Sequence, residues 1–346
     1  VINMAKIKWT ADFCSNSGYG EAARQYCLAL HQLGQDLICD DFHGMYPIGY
    51  TWMAETVGKD PRGYLQITHA LPSMVSEAYY TVFEFDRAPE EWRRILEKAK
   101  LVFTASEYSA YSLASVCDIA KIHVIHHGVN QKFNKTVEPM EFNEELPSFK
   151  FLSVFEWIER KCGDRLLKAF TQEFGKEEDV CLILKTRHPT RPTAMQIRKW
   201  VNDENVYWFD GFIPELAPLY RACNAYVSCS AGEGWGETLS EAMACGLPTI
   251  GSRCGGNLEF MNDDNSFLVE CEDWQMVGEN VLFNIIKPWF QYQPPKIDEM
   301  RKAMRLVYEG GDEVKHRAKN ATRITKDFSW EKAAKELITI VEAYQV

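Results

Sequence analysis

The sequence predicts an α/β protein with two Rossmann-like domains, each an open parallel sheet covered by helices. Three observations carry that prediction. Strand-like and helix-like segments alternate along most of the chain, the pattern of a parallel sheet with helical crossovers. The alternation breaks once, at the polar, acidic, proline-containing stretch NKTVEPMEFNEELPSFK, Asn134 to Lys150, and then resumes. The chain has 346 residues, more than a single core usually holds and enough for two domains.

In chain order, AKIKWTADF reads as a strand and EAARQYCLALHQLG as an amphipathic helix closed by Gly34. DLICDDF and AYYTVFEF read as strands. A helix is expected from Pro89 to Lys100, with Trp92, Ile95 and Leu96 turned to the core. LVFTASEY and IHVIHHGV continue the rhythm, and the first domain is set at 1–145. The second series, 146–329, runs strand FKFLSVFEW, helix DRLLKAFTQEF, strands DVCLILKT and NVYWFDGF, helix LAPLYRAC, strand AYVSCS, helix TLSEAMACG and strand PTIGS. KAAKELITIVEAY is a final amphipathic helix after the cap-like Ser329. Two domains of this kind are expected to take a ligand in the cleft between the carboxyl ends of their sheets.

Composition narrows the class. Hydrophobic residues make up 46% and charged residues 25%, as in ordinary globular proteins. The net charge of −11 argues against a nucleic-acid binder, whose affinity comes from neutralising phosphates, and against a polybasic membrane anchor. No apolar run approaches the ~20 residues that span a bilayer. The opening VINMAKIKW lacks the apolar core of a signal peptide, and Met4 is the expected natural start. Eleven cysteines are scattered from Cys14 to Cys271 without C-x-x-C spacing, so they are expected to be reduced, mostly buried thiols of a cytoplasmic protein rather than metal ligands.

The chemistry concentrates in SAGEGWGETLSEAMACGLPTIGS, Ser230 to Ser252. A strand delivers the chain to a loop with Gly232, Gly234 and Gly236, and a helix follows. Such a turn aims free helix N–H groups at an anion, and the glycines allow close approach of the backbone. Glu233 sits in the loop and Glu241 a turn or more into the helix. Two carboxylates so spaced suit a long ligand with hydroxyls at both ends and a diphosphate between, the shape of a nucleotide-sugar. The competing reading is structural: acids that favour the helix dipole, with Glu241 on a solvated face.

This run, with Glu233-Gly234-Trp235-Gly236-Glu237-Thr238 leading into Glu241-Ala242-Met243-Ala244-Cys245-Gly246-Leu247-Pro248, resembles the donor motif of the retaining family 4 glycosyltransferases of the GT-B fold, glycosyltransferase group 1. The resemblance implies that Glu233 contacts donor-sugar hydroxyls and Glu241 the ribose hydroxyls. Glu237 stands where the family usually has an apolar residue. FLSVFEWIERKCGDRLLKAF resembles the segment that binds the donor diphosphate, with Lys161 at the expected lysine. The usual basic partner is replaced by Glu156 and the usual glycine by Cys162, so Arg160 is expected to supply the missing charge, with Glu156 beside it. Phe212 and Ile213 fall where the nucleobase lies, and Lys185 is a further basic candidate. The resemblance also implies that the helix 330–346 returns to brace the first domain. No cofactor is implied; the nucleoside-diphosphate-sugar is a substrate. The resemblance implies a hydroxyl acceptor on a glycan, glycolipid or small molecule that the sequence does not name, as in glycan biosynthesis.

Gly18, Tyr19 and Gly20, with Asp40 and Asp41 about twenty residues on, imitate a dinucleotide fingerprint, which keeps an NAD-dependent oxidoreductase as a rival. The resemblance instead places this loop beside the diphosphate and acceptor. Glu84 stands where many relatives carry a histidine near the reactive carbon; its structural alternative is a salt bridge to Arg87. His69 is another acceptor-side candidate, and His126 with His127 lacks the nearby acids of a metal site. Without a D-x-D context, Arg160, Lys161 and helix N-termini are the charges available to a leaving diphosphate, and metal independence is expected. Two further rivals share the fold: a nucleotide-sugar-binding pseudoenzyme and a nucleotide-sugar epimerase.

Overall fold

The computed structural model describes residues 4–187, 194–195, 197–198, 201, 205–209, 211–277 and 290–345. Val1 to Asn3, ahead of the expected start, lie outside them. The chain divides into two compact units: the first joins the residues up to Asn130 with those from Phe328 on, and the second runs from Gln131 to Asp327.

The first unit holds a parallel sheet of β1 (Lys6–Ala11), β2 (Asp36–Asp41), β3 (Leu65–His69), β4 (Ala78–Tyr80), β5 (Leu101–Thr104) and β6 (Ile122–Val124), ordered β2-β1-β3-β4-β5-β6. The second holds β7 (Phe149–Glu156), β8 (Val180–Arg187), β9 (Val206–Phe209), β10 (Ala225–Val227), β11 (Thr249–Ser252) and β12 (Phe267–Val269), ordered β12-β11-β10-β7-β8-β9 and also parallel. In each sheet the order reverses once, between β1 and β3 and between β7 and β10. Loops leaving the carboxyl ends of strands diverge at such a point and leave a crevice.

The first core gathers Trp9, Tyr26, Tyr80, Phe103, Trp330 and Leu337. Helix Trp330–Gln345 packs on helix Gly18–Gln32 inside this unit. Ser329 caps it, its Oγ accepting from Lys332 N at 3.2 Å. Gly128 must be glycine, because a Cβ there would run into the backbone of Ser329 and Trp330. The second core is built on Phe151, Leu167, Phe170, Leu182, Leu184 and Met304. Helix Gly163–Glu173 packs on helix Ile297–Glu309, where Arg305 pairs with Glu173 at 2.7 Å and Glu178 at 2.6 Å.

Several elements differ from the sequence reading. The boundary falls after Asn130, not after residue 145. The polar stretch packs inside the second unit, with Phe133 edge-on to Tyr220 and Met140 N donating to Pro218 O at 3.0 Å. The second unit ends at Asp327, two residues before the expected 329. AYYTVFEF is a strand only to Tyr80, and LVFTASEY only to Thr104, after which Ser106 caps a helix by accepting from Ser109 N. The helix expected over 89–100 is a short 3-10 turn, Glu90–Trp92, followed by a single α turn, Arg93–Leu96. Burial of Trp92 and Leu96 needs no more than that. IHVIHHGV pairs only over Ile122–Val124.

His69 and His127 are both buried in the first core. His127 lies against Tyr26, Tyr80 and Trp330, and His69 against Trp9, Tyr19 and Tyr80. Burial pushes the His127 imidazole down to about 3, aided by the charge of His126, and pushes His69 well below the ordinary value, aided by His127. The unfolded chain therefore binds protons that the folded chain refuses. Stability is full above the unfolded histidine value, about 6.5, and falls with acidity by about 1.4 kcal/mol per pH unit for each such histidine. Urea unfolding from pH 6.5 to 4.5 should show this loss, and His127→Phe, with an apolar ring in an aromatic cage, should shallow the slope by about one histidine's share. Identical slopes would show that His127 is not held neutral.

Candidate active site

The second reversal point brings together residues that lie 72 apart in the chain. β7 ends at Glu156 and leads through a 3-10 turn, Glu159–Lys161, into helix Gly163–Glu173. Cys162 joins the two at φ 48°, the only non-glycine with positive φ among the described residues. A left-handed conformation costs an L-residue roughly 1–2 kcal/mol, which accounts for a glycine being the natural choice here. The tight turn sets Arg160 and Lys161 at the carboxyl edge of the sheet.

The loop after β10 brings Glu233 to them. Lys161 Nζ lies 2.5 Å from Glu233 Oε1, and Arg160 Nη1 lies 3.5 Å from Oε2. Arg160 Nη1 also donates to Gly232 O, and Ala231 N donates to Arg160 O at 2.8 Å, so the two loops are tied by backbone as well as charge. The loop after β11 closes the third side. Gly256 N donates to Glu233 O at 2.7 Å, and a Cβ on Gly255 would stand 2.6 Å from Glu233 N. Side-chain exposure is 10% for Glu233, 9% for Arg160 and 17% for Lys161. Burial raises the Glu233 carboxyl, but the charges of Lys161 and Arg160 outweigh it, and the group is held below the usual carboxylate range. The sequence anticipated each of these residues but not their mutual pairing.

Glu241 lies in the second turn of helix Glu237–Ala244, half-buried, and Tyr220 donates to its Oε2 at 2.9 Å. Tyr220 was not singled out in the sequence; it is fully buried and stacked on Tyr226. Trp235 is buried against Phe260, with ring centroids 4.9 Å apart, and Gly234 is buried beside it. Gly236 is the N-cap and Glu237 the first helical residue, followed by Thr238, so an acid stands where the helix dipole favours one. That gives the departure at Glu237 a physical reason. Lys185 is half-buried near the end of β8, its Nζ 3.4 Å from Thr186 O. Phe212 is 76% exposed and Ile213 half-buried, beyond β9. Glu156 is exposed.

In the first unit, Ser17 caps helix Gly18–Gln32, accepting from Gly20 N. A Cβ on Gly20 would collide with Ser15 O, so this glycine serves the loop's own fold. Tyr19 Oη donates to Val82 O at 2.9 Å and accepts from Val82 N at 3.0 Å, binding the loop to the segment after β4. Asp41 accepts from the backbone N–H of Phe13, His43 and Met45, and Asp40 pairs with Lys8 at 2.8 Å. The acids that imitate a ribose-binding pair are thus spent on structure. His69 is 3% exposed and lies edge-on to Tyr19, so its ring is part of the core rather than of the surface. Glu84 is half-buried just beyond β4, while Arg87 pairs with Asp86 at 2.7 Å. Among the described residues, no group of three or more His, Cys, Asp or Glu is arranged to hold a metal ion. No described helix is long and apolar enough to cross a membrane.

Comparison with known proteins converges on the same segment. Residues 147–283 match the family described as Glycosyl transferases group 1. The chain therefore carries a glycosyltransferase group 1 domain, and its fold is GT-B. A 115-residue stretch is 33% identical to the N-acetyl-alpha-D-glucosaminyl L-malate synthase of Bacillus anthracis, covering 32% of this chain and 30% of that protein. A 119-residue stretch is 30% identical to an uncharacterized glycosyltransferase of Methanocaldococcus jannaschii, covering 34% of this chain and 27% of that one. The matches to these curated relatives thus span less than a third of their lengths. Among solved structures, a glycosyltransferase from Rickettsia africae superposes with TM-score 0.73 at 16% identity, over 99% of this chain and 98% of that one. Anabaena HepE, solved with UDP and glucose, superposes with TM-score 0.70 at 15% identity, over 98% and 100%.

Breaking a buried ion pair costs about 3–5 kcal/mol when one charge is stranded. Lys161→Met should cost less, about 2–3 kcal/mol, because the ammonium keeps some solvent and Arg160 remains. Glu233 stabilises the fold when ionised, so the loss belongs to pH above about 4.5 and shrinks as acid protonates the carboxylate. Lys161→Met with Glu233→Gln should lose clearly less than the two single variants summed, by about 1 kcal/mol or more in urea unfolding at pH 7, although Arg160 then lacks its carboxylate. A double variant as weak as the sum of the two singles would show that the charges are not coupled.

Proposed function

We propose that this protein is a retaining glycosyltransferase. It moves a hexose-type sugar from a nucleoside-diphosphate-sugar to a hydroxyl of a glycan, glycolipid or small-molecule acceptor, without a divalent metal. The observation that carries the reading is the Glu233–Lys161–Arg160 cluster at the reversal point of a glycosyltransferase group 1 domain. It sets a carboxylate for sugar hydroxyls beside two cations for phosphate.

Transfer passes through an oxocarbenium-like state as the nucleoside diphosphate departs. The main requirement is to stabilise charge that develops on the leaving phosphate. Lys161 and Arg160 meet it. They sit on a tight turn and reorganise little, and their low exposure strengthens the field they exert. The start of helix Glu237–Ala244 adds backbone N–H groups. In this reading Glu233 orients the sugar, and Glu241, steadied by Tyr220, accepts from the ribose hydroxyls. Phe212, Ile213 and Lys185 lie on the nucleobase side. Gly18, Tyr19, Gly20 and Glu84 serve the acceptor. Retention assigns the deprotonation of the acceptor to the departing phosphate on the same face of the sugar.

A thermal-shift panel of UDP-, GDP-, ADP- and dTDP-sugars, led by UDP-glucose because UDP and glucose occupy the Anabaena structure, identifies the donor. With that donor, Glu241→Ala should weaken binding of the free nucleoside diphosphate by about 1.5–3 kcal/mol, the loss of a charged hydrogen-bond acceptor. Saturating EDTA should leave transfer intact. Unchanged nucleotide affinity in a folded variant removes Glu241 from the ribose site. Activity lost to EDTA and restored by magnesium shows that the two cations do not suffice. Conversion of the donor sugar without acceptor points to an epimerase.

A further inference from the structure

The Glu233 cluster lies beyond the carboxyl ends of the second sheet, and the opposite edge of that sheet holds a second concentration of positive charge that the transfer does not use. Helix Glu237–Ala244 carries the chain back from the cluster to Gly246, and Pro248 leads from there into the amino end of β11. Helix Asp312–Ala321 packs on helix Glu237–Ala244. A depression of about 370 Å³ opens where they meet. Its floor is apolar, formed by Gly246, Pro248, Val314 and Ala318. Lys135, Lys315 and Lys319 complete the lining, and all three are exposed.

Three like charges thus gather in a chain whose net charge is −11. Lys315 and Lys319 stand four residues apart on one helix face, where like charges repel. Among the described residues none of the three lysines is paired with a carboxylate, and Glu313, beside them on the helix, is taken by Arg317 at 2.5 Å. Lysines also gather at a helix C-terminus to meet its carbonyls, but this end is already closed. Leu247 N donates to Ala242 O at 3.1 Å, Gly246 N to Met243 O at 3.0 Å, and Arg221 Nη1 to Cys245 O at 3.1 Å. Gly246 adopts φ 80°, and a Cβ there would stand 3.1 Å from Lys135 Cγ and Cδ. The glycine therefore seats the Lys135 stem against the helix end, which limits where its ammonium can go.

We propose that this depression is a binding site for a phosphate monoester with an apolar body, separate from the donor site. A phosphate head carries about −1.5 to −2 charge at pH 7 and three strong acceptor oxygens, which match three ammonium donors. A carboxylate offers one charge and two oxygens. The apolar body covers Pro248, Val314 and Ala318. A free ester and a lipid headgroup share this chemistry. Binding weakens with salt, because exposed charges are screened. It stands whether or not the chain transfers sugar.

Acetylation of lysines in the full wild-type chain by an N-hydroxysuccinimide ester, mapped by mass, tests this. The probes are phenyl phosphate, inorganic phosphate, and phosphatidylcholine vesicles with and without phosphatidic acid. At ten times its Kd, phenyl phosphate should slow acetylation of Lys135, Lys315 and Lys319 together by about tenfold, leaving the exposed Lys98 unchanged. Lys161 reports the donor site separately. Lys315→Glu with Lys319→Glu should raise the Kd read at Lys135 by about tenfold or more, about 1.4 kcal/mol or more. Protection by phenyl phosphate in solution supports a free ester; protection only by vesicles that contain phosphatidic acid supports a lipid headgroup. No selective protection by either overturns the proposal, as does protection by inorganic phosphate as strong as by phenyl phosphate. The wild-type map decides the matter even if the charge-reversed variant fails to fold.

Discussion

A carboxylate shut away from water beside two cations organises the second unit. Glu233 is nearly buried, and an unpaired charge there would cost several kcal/mol. Its partners come from the crossover after β7, while Glu233 itself follows β10 and is backed by the loop after β11. Satisfying one charge therefore fixes three loops at the place where the strand order reverses. The stability return from such a pair is small, because desolvation offsets most of the attraction. What the arrangement supplies is position: two cations and a carboxylate held in fixed geometry before any ligand arrives.

The first unit solves a different problem with different means. Its glycine loop is closed by its own carbonyls, by Asp41 and by the Tyr19 hydroxyl, so it presents a shaped edge rather than a charged pocket. Arg24 reinforces it, donating to Phe13 O at 2.6 Å and Ser15 O at 2.8 Å. Behind the loop, aromatic rings and two neutral histidines fill the core, and helix Trp330–Gln345 closes it.

Much of this was legible in the sequence because period and punctuation are local. Alternating apolar segments gave the parallel α/β class, and the glycine-rich turn before TLSEAMACG marked the loop that seats Glu233 ahead of the helix. The central strand β3 was not read: Leu65–His69 is short and is followed by ALPS, which has the look of a loop. Strand β12 and helices Ile297–Glu309 and Asp312–Ala321 also went unread. The boundary was misplaced because polarity marks a linker without telling which core it packs on; Phe133 against Tyr220 decides that. The helix over 89–100 was over-extended because an apolar stripe satisfied by one turn resembles the start of a longer one. The pairing of Glu233 with Lys161 and Arg160, and of Tyr220 with Glu241, depends on strand order, which no local pattern encodes.

The central claim is that Glu233 faces the transferred sugar while its two cations face the diphosphate. Isothermal titration calorimetry of wild type and Glu233→Gln, with the selected nucleotide-sugar and with its free nucleoside diphosphate, tests it most directly. Glutamine keeps the shape of the side chain and a hydrogen bond to Lys161, and an unchanged circular dichroism spectrum with a cooperative unfolding transition, at a midpoint lowered by the stranded cations, would verify the fold. The account predicts that the variant binds the diphosphate about as well as wild type and the nucleotide-sugar roughly tenfold or more weakly, about 1.4 kcal/mol or more. Equal losses for both ligands, or no loss for either, would contradict it.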